Sequence, residues 1–322
     1  MKKERKFLPE SKEDKNWIKM KRRDFIFKSL ITGVGLTYSG NLAFADIIPD
    51  GKRISILHTN DMHSRIDPFP DDGGRNANQG GMTKLANLVA QIRKEEENLL
   101  LLDAGDVFQG TPYFNFYGGE LEFKLMSKMG FDASTIGNHE FDNGLEGIFE
   151  QLPNAQFSHI CSNYDFSNTI LQNKILPYKV YKNKGLKIGV FGLGIELNGL
   201  VSKKNYGNTL YLDPISKAEE MISELQSKKC DLIICLSHLG YSYKSAKIDD
   251  LKLASSVSGI DLIIGGHTHT FLDEPTRVKN HQGFETIVHQ VGTGALRLGK
   301  VDFVFSKENK MKLASVRSLP IS

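Results

Sequence analysis

Nine side chains in this 322-residue chain have types and spacings suited to holding metal ions and moving protons. They sit in five clusters: Asp61-Met62-His63, Gly105-Asp106, Gly137-Asn138-His139-Glu140 with Asp142 close behind, Ser237-His238, and Gly265-Gly266-His267-Thr268-His269. Residues two apart on an extended strand end point the same way, so Asp61 and His63 are expected to offer a carboxylate and an imidazole to one side. His267 and His269 repeat that spacing with Thr268 turned away, and Gly265-Gly266 would let the backbone turn tightly before them. A single Asp-x-His triplet arises often by chance; two paired ends in one chain point to a site. Asp106 can present two oxygens to two ions and is the natural bridge. Asn138 adds an amide oxygen and His238 a further imidazole. Mixed oxygen and imidazole donors suit manganese, zinc, iron or cobalt better than calcium or magnesium.

His139 must face differently from its neighbour Asn138, which reads better as an acid or charge stabiliser than as a ligand. Asp142 lies three residues on, where an incipient helix would bring its carboxylate alongside the imidazole. Such a pairing favours the imidazolium and fixes its orientation, so the two could protonate a departing alkoxide, a contribution of roughly 10²- to 10⁴-fold in rate. Glu140 reads as a helix N-terminal acid favoured by the dipole. Asn60 and Asp103 stand beside ligands and are expected to orient them. His58 reads as packing or as such a supporting group, and His159, His281 and His289 as structural or exposed.

Each cluster follows a short apolar run, and runs of this kind bounded by Gly, Asp and Asn read as buried strands. Strands are expected over residues 53–59, 99–102, 133–136, 186–192, 231–236 and 261–264, and helices over 82–96, 120–129 and 214–227. This alternation is that of a layered α/β domain, giving way to strands at 286–291, 300–305 and 312–316. Ligands in open α/β sheets bind outside the carboxyl ends of strands, so the five clusters are expected to converge. Two long loops, 64–81 and 192–212, read either as walls of a substrate cleft or as surface excursions.

Residues 1–45 read as a leader. Lys21-Arg22-Arg23-Asp24-Phe25-Ile26-Phe27-Lys28 resembles a twin-arginine export signal, and Ala43-Phe44-Ala45 a small-residue cleavage site. Gly33, Gly35, Ser39, Gly40 and Asn41 interrupt the stretch between them too often for a permanent membrane anchor. The chain is thus divided into a signal segment, 1–45, and one domain, 46–322, outside the cytoplasm or in a periplasm. The whole chain has 41 basic and 38 acidic residues, of which the leader holds 11 and 5, so the remainder has 30 and 33 and a net charge of −3. An acidic domain without a basic face is a poor match for duplex nucleic acid. Cys161, Cys230 and Cys235 read as small core residues, with a zinc thiolate as the alternative.

With these residues in hand, the sequence resembles the metallophosphoesterase domain of the bacterial 5′-nucleotidase family, within the calcineurin-like phosphoesterases, over residues 53–317. Asp-x-His, Gly-Asp, Gly-Asn-His-Glu, His and Gly-His-x-His occur in that family's order, and residues 105–112 and 137–144 match its nucleotidase branch. The resemblance implies a four-layer α/β/β/α sandwich. It implies one metal on Asp61, His63, Asp106 and His269, and a second on Asp106, Asn138, His238 and His267. His139 and Asp142 would be the catalytic dyad, with Asn138 and His139 also against the substrate. It further implies in-line attack of a metal-bound hydroxide on a 5′-nucleotide or related ester. Family members typically carry a second, nucleotide-binding domain; this chain ends at Ser322, so either a separate polypeptide supplies that part or the enzyme takes a broad range of esters. Phe114, Phe116 and Tyr117 could pack on such a partner or a base, with core packing expected for at least one. The alternatives are a thiosulfohydrolase-like or broad phosphodiesterase activity in the same superfamily, and a metal-bound subunit without catalysis.

Overall fold

The computed structural model describes residues 52–306 and 310–322; the leader read at 1–45 lies outside the described residues. Strands β1 (Lys52–Thr59), β2 (Leu99–Asp103), β3 (Ala133–Ser134) and β4 (Ser158–His159) run parallel in one sheet. β5 (Tyr164–Asp165) pairs with β8 (Leu210–Tyr211) in a separate short ribbon. β6 (Tyr178–Asn183), β7 (Leu186–Leu193), β9 (Leu232–Ser237), β10 (Leu262–Gly265), β11 (Thr276–Lys279) and β12 (Glu285–His289) build the second sheet. The chain then returns to the first through β13 (Arg297–Phe305) and β14 (Met311–Pro320). The orders are β14-β13-β1-β2-β3-β4 and β11-β12-β10-β9-β7-β6.

Strand alternation makes the layers. Ile54, Ile56, Leu100, Leu102, Val301 and Phe303 of the first sheet pack against Ile188, Val190, Ile234, Leu236, Leu262 and Ile264 of the second. The opposite face of the first sheet, with Leu57, Leu99 and Leu101, is covered by α1 (Met82–Glu95) through Leu85, Val89 and Ile92 and by α3 (Glu120–Met129) through Phe123 and Met126, with α2 (Pro112–Tyr117) between them in sequence. The outer face of the second sheet is covered by α6 (Pro214–Ser227) and α7 (Asp250–Ser256), after α4 (Gly144–Gln151) and α5 (Lys203–Tyr206). This is the expected four-layer α/β/β/α sandwich of the α/β class. Strands buried on both faces must be apolar throughout, which is why β2, β9 and β10 read as continuous runs.

Several elements escaped the sequence pattern. β6, β11, α4 and α7 lie where no strand or helix was expected, and β3 is two residues long because Ile136 already belongs to the turn that carries the site. The 192–212 stretch holds α5 and β8. Cys161 and Cys235 are buried, Cys230 is half-buried, and all three are free. No helix among the described residues is long and apolar enough to cross a membrane.

A buried polar contact joins the two sheets directly. His58 of β1 and His289 of β12 meet at 2.8 Å between Nε2 and Nδ1. Ser318 donates to the Leu272 carbonyl at 2.6 Å, so its oxygen accepts from His289 Nε2–H at 3.1 Å. His289 Nδ1 is therefore the acceptor for His58 Nε2–H. Gly299 opposite makes the room: a Cβ there would lie 2.0 Å from His58 Nε2. Burial pushes His289 down from 6.5 to about 4. Between those pH values the unfolded chain takes up a proton that the folded protein refuses, so this residue subtracts stability as pH falls through the window. The stability deficit of His289→Gln relative to wild type should accordingly narrow from pH 7 to pH 5, measured by urea unfolding of metal-free protein. A deficit independent of pH would contradict the buried neutral pair.

Candidate metal and acid site

The segments following β1 and β2 run side by side and set the frame of the site. Asp61 N–H donates to the Gly105 carbonyl at 2.9 Å, His63 N–H to Asp106 O at 3.0 Å, and Ser64 N–H to Val107 O at 2.7 Å. Asp103 ties three strand ends together by accepting from Thr59 Oγ1 (2.7 Å), Ser134 Oγ (2.8 Å) and Gly105 N–H (2.9 Å). Asn60 donates to Asp61 Oδ2 at 2.7 Å and to the Gly292 carbonyl at 2.6 Å, and accepts from Val291 N–H at 2.9 Å. Both residues play the supporting part expected of them.

Asp61, His63, Asp106, His267 and His269 do not lie on extended strand ends. Their φ angles are 50°, 48°, 55°, 71° and 50°, all left-handed. This conformation costs roughly 1–2 kcal/mol per residue for an L side chain, with Asp and His among the better tolerated. The i and i+2 side chains therefore converge because of tight turns rather than strand alternation, which corrects the sequence-based reason. The glycines also differ in role. Gly265 and Gly266 keep ordinary φ but have no room for a side chain: a Cβ on Gly266 would lie 2.7 Å from His238 Nδ1, and one on Gly265 2.2 Å from Asp250 Oδ2. At Gly137 a Cβ would lie 2.3 Å from Asp106 Oδ1.

These turns bring the expected residues together. Asp61, His63 and His269 form one group whose donor atoms lie within 4.8 Å of one another, and Asp106, His238 and His267 form another. Asn138 Oδ1 is 2.8 Å from His267 Nδ1. His63 and Asp106 also come within the same reach of His139, whose Nδ1 is taken by Asp142 Oδ2 at 2.8 Å.

The contacts between these groups test whether a cation fits. The Ala104 carbonyl can only accept, so His238 Nδ1, 2.6 Å away, is the N–H. His238 Nε2 faces Asp106 Oδ2 at 3.0 Å, without the alignment of a hydrogen bond, and it is buried with no hydrogen-bond partner; against the cost of burial, the Asp106 carboxylate draws the ring up to about 10, so positive charge is favoured at this spot. His63 Nε2 and His269 Nε2 face each other at 2.9 Å beside Asp61. Imidazole nitrogens and carboxylates crowded in this way favour positive charge among them, and two oxygen-plus-imidazole groups sharing the neighbourhood of Asp106 fit divalent ions.

The His139–Asp142 pair forms as expected, through a 3₁₀ turn at His139–Phe141. The bond to Asp142 raises His139 to about 9 despite partial burial, so the ring carries two protons at neutral pH and Nε2–H remains for other work. His139 N–H also donates to Asp106 Oδ1 at 2.8 Å. The second long loop reaches the dyad, with Asn205 Nδ2 donating to the Asp142 carbonyl at 3.0 Å. His58 and His289 are occupied between the sheets, while His159 is buried among Phe123 and Phe157. Phe114 is buried against Phe108, whereas Phe116 is 81 % and Tyr117 51 % exposed.

Glu140 lies in the first turn of the 3₁₀ helix, as an acid at a helix start should, but its carboxylate is used across the site. It is buried and accepts from four backbone N–H groups: Gly137 at 2.6 Å, Asp106 at 3.0 Å, Val107 at 2.7 Å and Phe108 at 3.5 Å. It thus clamps the turn that carries Asp106 to the turn that carries Asn138. Burial, and then the Asp106 charge, push its carboxyl up to about 7. No local pattern could have identified it, because its partners Asp106 and Val107 lie 34 and 33 residues away. Glu140→Gln would turn an amide toward these donors. We expect it to cost about 1–3 kcal/mol in chemical denaturation of metal-free protein and to weaken manganese binding by calorimetry; an unchanged denaturation midpoint would refute the clamp.

Residues 54–271 match the calcineurin-like phosphoesterase family. The snake venom 5′-nucleotidase of Gloydius brevicauda is 32% identical over 279 residues, covering 80% of this chain and 46% of its own length. The 5′-nucleotidase of Rattus norvegicus is 36% identical over 227 residues, 68% of this chain and 38% of that one. The crystal structure of a 5′-nucleotidase precursor from Thermus thermophilus superposes with a TM-score of 0.77 at 32% identity, over 84% of this chain and 55% of that one. The chain thus spans about half the length of these relatives or less. It belongs to the calcineurin-like phosphoesterases and is homologous to the 5′-nucleotidases, a metal-dependent class of hydrolases.

Proposed function

We propose that this protein hydrolyses 5′-nucleotides or closely related phosphate esters at a two-metal site. The observation that carries the reading is the pair of donor groups, Asp61, His63 and His269 beside Asp106, His238 and His267, with the His139–Asp142 pair within reach of His63 and Asp106. Asp61, His63, Asp106 and His269 would hold one divalent ion, and Asp106, Asn138, His238 and His267 the other. When bound, such ions lower the pKa of water and bind phosphoryl oxygens.

The remaining chemistry belongs to side chains of this chain. The phosphorus–oxygen bond to the leaving alcohol breaks as the attacking water oxygen bonds to phosphorus in line. His139 Nε2–H gives its proton to the leaving oxygen, and solvent restores it. Asp142 keeps the imidazolium in place through Nδ1, and Asn205 holds Asp142 from the backbone side. Asn138 and His139 flank the phosphoryl group. Export through a twin-arginine route belongs to the same proposal and rests on the leader residues alone.

Purified protein loaded with manganese should hydrolyse AMP or a chromogenic phosphate ester. His139→Ala should lower turnover by about 10²- to 10⁴-fold while metal content, read by elemental analysis, stays unchanged. Two bound metals without turnover across a broad ester panel would instead favour a metal-bound subunit that serves a partner. Substituting Arg22 and Arg23 by Lys should retain the protein in the cytoplasmic fraction; unchanged export would remove the twin-arginine reading.

A further inference from the structure

The turn from Gly266 to Thr270 carries two donor histidines, both in left-handed backbone, with one internal backbone bond, from Thr268 N–H to the Gly266 carbonyl at 2.9 Å. A turn so constrained and so sparsely self-bonded needs outside partners: the Asp61 carboxylate accepts from His267 N–H at 3.0 Å, Gly292 N–H donates to the Thr270 carbonyl at 3.0 Å, and Gln290, the residue after β12, bonds to three of its residues.

Gln290 is fully buried. Its Nε2 donates to the Gly266 carbonyl at 2.7 Å. Its Oε1 accepts from Thr270 N–H and from Thr268 Oγ1, the latter at 3.2 Å. One amide thus binds the first, middle and last residues of the turn, on either side of His267 and His269. Both ends of the amide are used. Glutamate lacks the donor, methionine lacks both functions, and asparagine is one methylene short. Thr268 is tied in from another side by Tyr241 N–H at 2.9 Å. Gln290 is also fenced in: a Cβ on Gly265 would lie 3.1 Å from its Nε2 and 2.2 Å from Asp250 Oδ2, so the two side chains close over a strand end with no space to spare.

We propose that Gln290 is a positioning residue, whose amide fixes the left-handed turn that aims His267 and His269 into the two donor groups. This rests on the reading above that those rings hold metal. Groups that orient metal ligands typically change metal affinity by about 10- to 100-fold when removed.

The test uses the full chain in metal-free form, titrated with manganese(II) against a competing chelator. Gln290→Met keeps the volume and loses all three bonds. Gln290→Glu keeps the acceptor and serves if the methionine variant folds poorly. Thr286→Val is the control: it removes another buried bond on β12, from Thr286 Oγ1 to the Ile260 carbonyl at 2.8 Å, with no link to the turn. We expect manganese affinity about 10- to 100-fold weaker in Gln290→Met, an intermediate loss in Gln290→Glu, and wild-type affinity in Thr286→Val, although all three lose some resistance to urea. In metal-free protein the ring resonances of His267 and His269 should shift in both Gln290 variants and stay in place in Thr286→Val. Wild-type affinity and unshifted rings in both Gln290 variants would overturn the positioning role. Failure of the wild-type chain to bind manganese would overturn the two-metal reading instead, and the ring resonances would still judge whether Gln290 sets the turn.

Discussion

His238 sets its buried Nε2 3.0 Å from the Asp106 carboxylate, without a hydrogen bond and in a space closed to water, while its other nitrogen is committed to the Ala104 carbonyl. An imidazole and a carboxylate held this way favour positive charge at or beside them, and against the cost of burial Asp106 draws the ring up to about 10. A second gathering of imidazoles, His63 against His269 at 2.9 Å, lies next to Asp61. Much of the fold is what is needed to hold these imidazoles and carboxylates together.

The first requirement is backbone conformation. Five of the donor residues are left-handed, and bare positions at Gly137, Gly265 and Gly266 let neighbouring chains approach within side-chain reach. Such strain persists only where surrounding bonds over-determine it. The bonds come from buried polar side chains: Asp103 across three strand ends, Asn60 on Asp61, Glu140 across the Asp106 and Asn138 turns, and Gln290 on the His267–His269 turn. Each joins segments brought together by the parallel order of the strands, so the sheets act as the rigid base on which the strained turns are built.

Stacking two sheets face to face serves the same end. Asp61 and Asp106 leave the first sheet at β1 and β2, while His238, His267 and His269 leave the second at β9 and β10. The site spans the gap between layers, and its geometry depends on how the layers meet. The apolar packing of Ile54 and Ile56 against Ile188 and Ile234, with the His58–His289 contact among these strands, sets that meeting.

Much of this is written locally. Continuous apolar runs announce doubly buried strands, the helical spacing of Leu85, Val89 and Ile92 announces α1, and the identity of every donor, with the His139–Asp142 spacing, is read directly from residue type and order. These signals need only near neighbours. β6, β11, α4 and α7 were not visible because their short, mixed runs gain their apolar partners only after the layers form. Glu140 and Gln290 were equally silent: an acid beside a turn and a glutamine after a strand become clamps only when chain 34 and 24 residues away is folded against them. Residue type and order were enough to say which atoms could bind metal and which pair could hold a proton. The left-handed turns that aim those atoms were settled by the folded layers alone, because a strained conformation is chosen by the contacts that compensate it, and those contacts come from distant segments.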